Sequence, residues 1–216
     1  RAHLDARLIL AHCAIGAYER VIPFADEVPN LLFDTSWWNP SDVWGLLHAV
    51  APSRVLYASD IPFGSPAQSF ILTARLAIEA GLDDAQLASV LGGQLERLAA
   101  HEDLLDTGPL AADPGALRPP LERIYVTLCS AVEPMLRGEA PGQGLELARV
   151  ACSRPHGPDA EVIASIAALL ELVDEAEPDP LRTQRRPGWD LVLTAAVLAR
   201  TPSAPVPSEA RVLAAI

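Results

Sequence analysis

Two residues in the first third of the chain stand where an apolar run stops and a turn begins. In LILAHCAIG, residues 8–16, the apolar run reaches His12 and breaks at Gly16. In LYASDIPFG, residues 56–64, it reaches Asp60 and is stopped by Pro62 and Gly64. A histidine and a carboxylate are the pair that acid–base chemistry at neutral pH uses. Each has a plainer reading: His12 as a hydrogen-bonded core histidine, Asp60 as a turn or helix-capping carboxylate. Matching positions on two separate runs favour the chemical reading. If both runs are parallel strands of one sheet, both residues lie at strand C-terminal ends, on the face where β/α barrels build their sites.

The elements between these residues carry that geometry. RLILAHCAI (7–15) is apolar almost throughout, as a strand covered on both faces would be. AYERVIPFADEV shows helical spacing interrupted by Pro23. PNLLFDTSWW (29–38) reads as a second strand and SRVLYASDIPFG (53–64) as a third. NPSDVWGLLHAVA reads as a helix capped by Asn39 or Ser41, and PAQSFILTARLAIEAG as a helix ending at Gly81. LDDAQLASVLGGQLERLAA is a third helix, capped by Asp83 and interrupted by Gly92-Gly93. Strand and helix thus alternate over residues 1–105. This argues for an α/β fold of parallel strands with helical crossovers, as in a (β/α) barrel or a doubly wound open sheet.

Residues 106–120 are rich in Pro and Gly and read as a linker. Residues 121–216 then show amphipathic or apolar segments between Pro/Gly breaks, the pattern of an all-α extension with no strand. Within it Arg182, Arg185 and Arg186 read as a solvated basic loop, and 201–216 as a Pro-rich stretch with a short helical end.

Bulk composition narrows the function classes. The chain has 216 residues, 50% of them hydrophobic and 20% charged, enough to bury a core. Its net charge of −12 argues against a nucleic-acid or anionic-membrane surface, which needs a basic patch. All basic residues are Arg; there is no Lys. No apolar run reaches the roughly 18 residues that span a membrane, and no secretory leader is visible. The three cysteines, Cys13, Cys129 and Cys152, form no C-x-x-C pair and read as buried thiols in a reducing cytoplasm.

The order LILAH, NLLFDTS, RVLYASDIPFG, LASVLGGQLERL resembles the C-terminal half of the amidohydrolase-related metal-dependent hydrolases, a family that includes non-oxidative decarboxylases. The likeness covers residues 1 to 100 or so, and RVLYASDIPFG is its most specific piece. It implies the C-terminal part of a (β/α)8 TIM-type barrel. By this resemblance His12 matches the sixth-strand histidine that polarises substrate or acts as acid or base. Asp60 matches the eighth-strand aspartate that binds a divalent metal, zinc or manganese, and moves a proton of its bound water. Asp34, of Asp34-Thr35-Ser36, matches a seventh-strand motif and is expected to brace strand ends rather than ligate. Gln94 departs from the family's Asn.

A larger departure concerns ligands. The family's first strand carries His-x-His and its fifth a further histidine. The five histidines here, His3, His12, His48, His101 and His156, include no such pair. His48 reads as packing or surface within a helix, and His101 as a helix-end cation. One carboxylate and one histidine fall short of the usual three or four metal ligands. The expectation is a chain that begins just before the sixth strand, holds no metal by itself, and is one part of a longer enzyme acting on a small molecule. Trp37 is the candidate substrate contact, with Trp38 on the opposite strand face packing against helices, and packing of both rings is the plainer reading. The competing class is a non-catalytic helical module on a barrel remnant, whose apolar stripes dock a partner or a second copy in a homo-oligomer.

Overall fold

The structure, a computed structural model, describes residues 6–110 and 118–205. The chain divides into two compact units, Arg1–Pro114 and Gly115–Ile216. The helical end expected within 201–216 lies outside the described residues from 206 onward.

Unit 1 is built on a three-stranded parallel sheet, β1 (Leu8–Leu10), β2 (Leu31–Asp34) and β3 (Val55–Leu56), in the order β1-β2-β3. The register pairs Leu8 with Leu31 and Leu10 with Phe33, then Phe33 with Val55. Helix α1 (Tyr18–Val21) runs into a 3-10 turn at Ile22–Glu27 and links β1 to β2. Helix α2 (Pro40–Ala49) links β2 to β3, and α3 (Pro66–Glu79) follows β3. Parallel strands joined through helices form a β/α sheet compatible with a partial α/β barrel. The core is Leu32, Phe33, Val43, Leu46, Leu47, Val55 and Leu76, all fully buried.

The strands are shorter than the apolar runs, and each end has a local cause. β1 stops at Leu10 because the backbone N–H of His12 leaves the ladder for the Asp34 carboxylate, at 2.9 Å. β3 stops at Leu56 because the next two N–H groups also leave: Tyr57 donates to the Val90 carbonyl at 2.9 Å and Ala58 to Thr35 Oγ1 at 3.3 Å. Nor is β1 covered on both faces. It is an edge strand, with Leu8 51% and Ile9 47% exposed. Its apolar pattern suits neighbours that unit 1 does not supply among the described residues.

Caps and bulges follow the sequence closely. Asn39 Oδ1 accepts from Ser41 N at 2.9 Å, with Pro40 at the first helical position. Asp83 and Gln86 form a reciprocal capping box on α4 (Asp84–Ala88). The Gly-Gly interruption becomes one π-turn, Ser89–Gly93, with Gly92 at φ +156°, before α5 (Gln94–Ala99). Val90 of this turn supplies the carbonyl that ends β3. π-bulges of this kind often lie beside functional sites.

Three polar side chains bind the unit together from within. Arg54, buried, donates to the carbonyls of Leu31 (2.8 Å), Ala25 (2.6 Å) and Val28 (2.9 Å). Gln94, fully buried, donates to the Ser53 and Leu105 carbonyls and accepts from Leu105 N at 3.0 Å. Gln86 donates to the carbonyls of Thr107 (3.2 Å) and Pro109 (3.1 Å). Residues 105–109 are therefore held to unit 1 by side-chain bonds.

Unit 2 has four α-helices and no strand among its described residues: α6 (Pro119–Leu136), α7 (Gly142–Cys152), α8 (Ala160–Leu172) and α9 (Trp189–Arg200). Helix α6 packs against α7 and α9, and α8 against α9. The buried face of α6, Leu121, Ile124, Leu128, Val132 and Met135, has the three- and four-residue spacing of an amphipathic helix. Trp189 fills the centre and donates Nε1–H to the Val132 carbonyl at 3.0 Å. The basic loop is not simply solvated. The Arg182 side chain is 14% exposed and pairs with Asp179 at 2.6 Å, while the Arg185 guanidinium lies 4.3 Å from the Trp189 ring. Packing against an aromatic face outcompetes water for a weakly hydrated guanidinium.

Candidate functional site at the C-terminal edge of the sheet

The parallel sheet brings the ends of β1, β2 and β3 to one edge, with β2 in the middle. His12 lies two residues past β1, Asp34 closes β2, and Asp60 lies four residues past β3. Asp60 is therefore in the loop beyond the strand rather than at its end.

His12 opens a left-handed turn. His12, Cys13 and Ala14 have φ of +57°, +56° and +60°, and the turn is closed by Ala14 N to Ala11 O (3.0 Å) and Ile15 N to His12 O (2.9 Å). For L-residues this conformation costs about 1–2 kcal/mol per residue. Such strain persists only where surrounding bonds over-determine it, and it gathers at functional sites. Here the restraint comes from β2. Asp34 Oδ1 accepts from His12 N at 2.9 Å, from Ser36 N at 3.0 Å, and from the Ser36 hydroxyl. The His12 ring nitrogen Nδ1 lies 2.6 Å from the Ser36 carbonyl and 2.9 Å from Ser36 Oγ. Asp34 thus braces the ends of β1 and β2.

Trp37 stands beside this cluster, its ring 6.1 Å from that of His12 and its Nε1–H donating to Asp42 at 2.6 Å. The opposite-face reasoning for the tryptophan pair does not hold, because β2 ends at Asp34. Off the strand, the Trp37 and Trp38 rings sit 5.5 Å apart.

Asp60 is exposed, at φ +55°, and its carboxylate makes no hydrogen bond or ion pair among the described residues. No hydrogen bond joins it to His12, whose ring is held by Ser36 instead. The structure brings His12, Asp34, Ser36 and Trp37 together and leaves Asp60 unpaired on the neighbouring loop.

The far side of the left-handed turn walls a cavity of about 400 Å³, lined among others by Cys13, Tyr18, Arg20 and Asp42. Burial pushes the Cys13 thiol well above its ordinary range, and the Asp42 and Asp34 carboxylates push it further. Cys13 is therefore a protonated, inert thiol rather than a nucleophile. Burial likewise raises the Tyr18 phenol, helped by Cys13 and Asp42.

Among the described residues no group of three or more His, Cys, Asp or Glu side chains could hold a metal ion. His12 and Asp60 do not make a metal centre by themselves. His48 Nδ1 lies 2.8 Å from the Trp44 carbonyl within α2, and His101 takes φ +57° just after α5.

The model of the amidohydrolase family matches residues 1–93, which span the whole sheet, α1 to α4 and the π-turn. Over these residues the chain is similar to the amidohydrolase family. No curated protein and no solved structure matches the chain significantly. The matched segment contains every residue of the edge described above. Ser36 is the site residue that composition and spacing passed over. Its signal was present: a serine two residues after a strand-end aspartate is the Asx-turn pattern, seen here as Ser36 N to Asp34 Oδ1.

Among the described residues no helix is long and apolar enough to cross a membrane.

Proposed function

We propose that this chain is part of a metal-dependent hydrolase of the amidohydrolase-related type that attacks a small-molecule substrate with activated water. The observation that carries the reading is the His12 ring. It is anchored through Nδ1 at the C-terminal edge of a parallel sheet, within the segment that the family model matches. In this reading His12 Nε2 takes or delivers a proton, or polarises the substrate, through the atom that the Ser36 contacts leave free. Asp60 contributes a carboxylate with no competing partner among the described residues, as a group reserved for a ligand would. Trp37, beside His12, contacts the substrate.

Asp60 would be the one ligand these residues offer a divalent ion such as zinc or manganese, and the others would have to come from outside the described residues. When bound, such an ion lowers the pKa of water toward neutrality. In this reading the chain is one part of a longer enzyme, inactive in isolation.

The test compares this chain with the full reading frame of its gene. Zinc and manganese content is measured by mass spectrometry, and turnover on ester, amide and carboxylated aromatic substrates is assayed in parallel. The expected result is metal and turnover in the full-length product only, with turnover lost in Asp60→Ala. A metal-free full-length protein, or unchanged activity in Asp60→Ala, would overturn the reading. Turnover confined to carboxylated substrates with release of carbon dioxide would move the assignment to non-oxidative decarboxylation.

A further inference from the structure

The geometry points to Asp34 and Ser36 as positioning residues that lock His12 into one tautomer, with the proton on Nδ1 and the lone pair on Nε2. This rests on the reading of His12 as the residue that handles a proton, and it names the groups that make one ring nitrogen available for the task.

The hydrogen-bond bookkeeping leaves one arrangement. The Ser36 carbonyl, 2.6 Å from Nδ1, can only accept. The Ser36 hydroxyl, 2.9 Å from Nδ1, has a single proton, and that proton goes to Asp34 Oδ1. Toward the imidazole the hydroxyl therefore presents a lone pair. Two acceptors face Nδ1 and no donor does, so Nδ1 carries the hydrogen. In neutral histidine the other nitrogen must then be the acceptor. Nε2 has no hydrogen-bond partner among the described residues.

Asp34 sets this arrangement through one oxygen. Oδ1 receives the backbone N–H of His12, the backbone N–H of Ser36 and the Ser36 hydroxyl. It thereby fixes the histidine's main chain, the serine's main chain and the serine's rotamer at once. An Asx turn alone explains the Ser36 N bond. It does not explain why the Ser36 carbonyl and hydroxyl both converge on the ring of a residue on another strand. Three consecutive left-handed residues, His12 to Ala14, show that the backbone is held in this position against its preference. Histidines that handle protons and metals commonly have their second nitrogen oriented by such a partner.

The inference is tested by nitrogen NMR on the chain with ring-labelled histidine, at a pH where the imidazole is neutral. His12→Gln identifies the signals. The expected wild-type spectrum has the protonated-nitrogen shift at Nδ1 and the lone-pair shift at Nε2, the reverse of an unconstrained histidine. Ser36→Ala removes the hydroxyl but keeps the main-chain carbonyl at Nδ1, so it should move both shifts part of the way toward the unconstrained order, as should Asp34→Asn, which frees the hydroxyl proton, while far-ultraviolet circular dichroism reports whether the fold survives. An Nε2–H tautomer in the wild type overturns the inference whatever the variants do. So do two folded variants whose shifts match the wild type, because the side chains would then set nothing. An Nδ1–H His12 in a full-length enzyme whose turnover survives His12→Asn would overturn the hydrolase reading and leave the tautomer assignment standing.

Discussion

Removing the Arg54 guanidinium should loosen the front of the sheet before it alters anything else. Arg54 is buried and caps three main-chain carbonyls, those of Ala25, Val28 and Leu31, with its guanidinium carbon 6.0 Å from the Phe33 ring centroid. Hydrogen bonds to a charged group contribute about 1.5–3 kcal/mol each. Three would sum to well above the usual range for a point mutation, but water entering the vacated space re-solvates part of the exposed carbonyls. The expected cost of Arg54→Ala is therefore about 3–5 kcal/mol, a large fraction of a domain's total stability. Arg54→Lys keeps the charge and one donor group but not the fork, and should cost about 2 kcal/mol less than the alanine variant. The anchored loop leads directly into Leu31, the first residue of β2, so its release should be felt at Asp34. The assay is hydrogen exchange in increasing urea, read on peptides spanning residues 25–36. Opening free energies within about 1 kcal/mol of wild type for Arg54→Ala would refute the idea that this side chain anchors β2. Equal losses for lysine and alanine would refute the role assigned to the fork.

The other predictions concern thiols, a close contact and the exposed carboxylate. Burial holds Cys152 up to about 11 from an ordinary 9.0, so the folded state keeps a proton that the unfolded state gives up. The stabilisation is complete below pH 9.0 and is lost as pH rises toward about 11. Urea melts across that window should show the decline, and Cys152→Ala should flatten it. Iodoacetamide at pH 8 should label the half-buried Cys129 before Cys13 or Cys152, as followed by peptide mass. Gly188→Ala should destabilise unit 2 by about 3 kcal/mol, since φ is +78° and a Cβ would meet Val173 Cγ1 at 2.9 Å; thermal melting reads this directly. Asp60→Asn should change stability by less than about 0.5 kcal/mol, because the side chain is exposed and makes no bond among the described residues; a larger loss in a urea melt would give Asp60 a structural role.

Features written within a few neighbouring residues were legible in the sequence. The alternation of strand and helix, the caps at Asn39 and Asp83, the break at Gly92-Gly93 and the helical texture after residue 118 all depend on local backbone preference and short side-chain reach. The family likeness is of the same kind, because RVLYASDIPFG is a continuous string. What only the tertiary structure decided is set by partners far apart in the chain. His12 and Ser36 are 24 residues apart, Arg54 and Ala25 29 apart, and Gln94 and Ser53 41 apart. No local preference predicts that a run of apolar residues will leave the ladder after Leu10 and turn left-handed at His12. That happens because Asp34, across the sheet, offers one anionic oxygen to three donors, and those bonds hold a backbone conformation that the residues themselves disfavour.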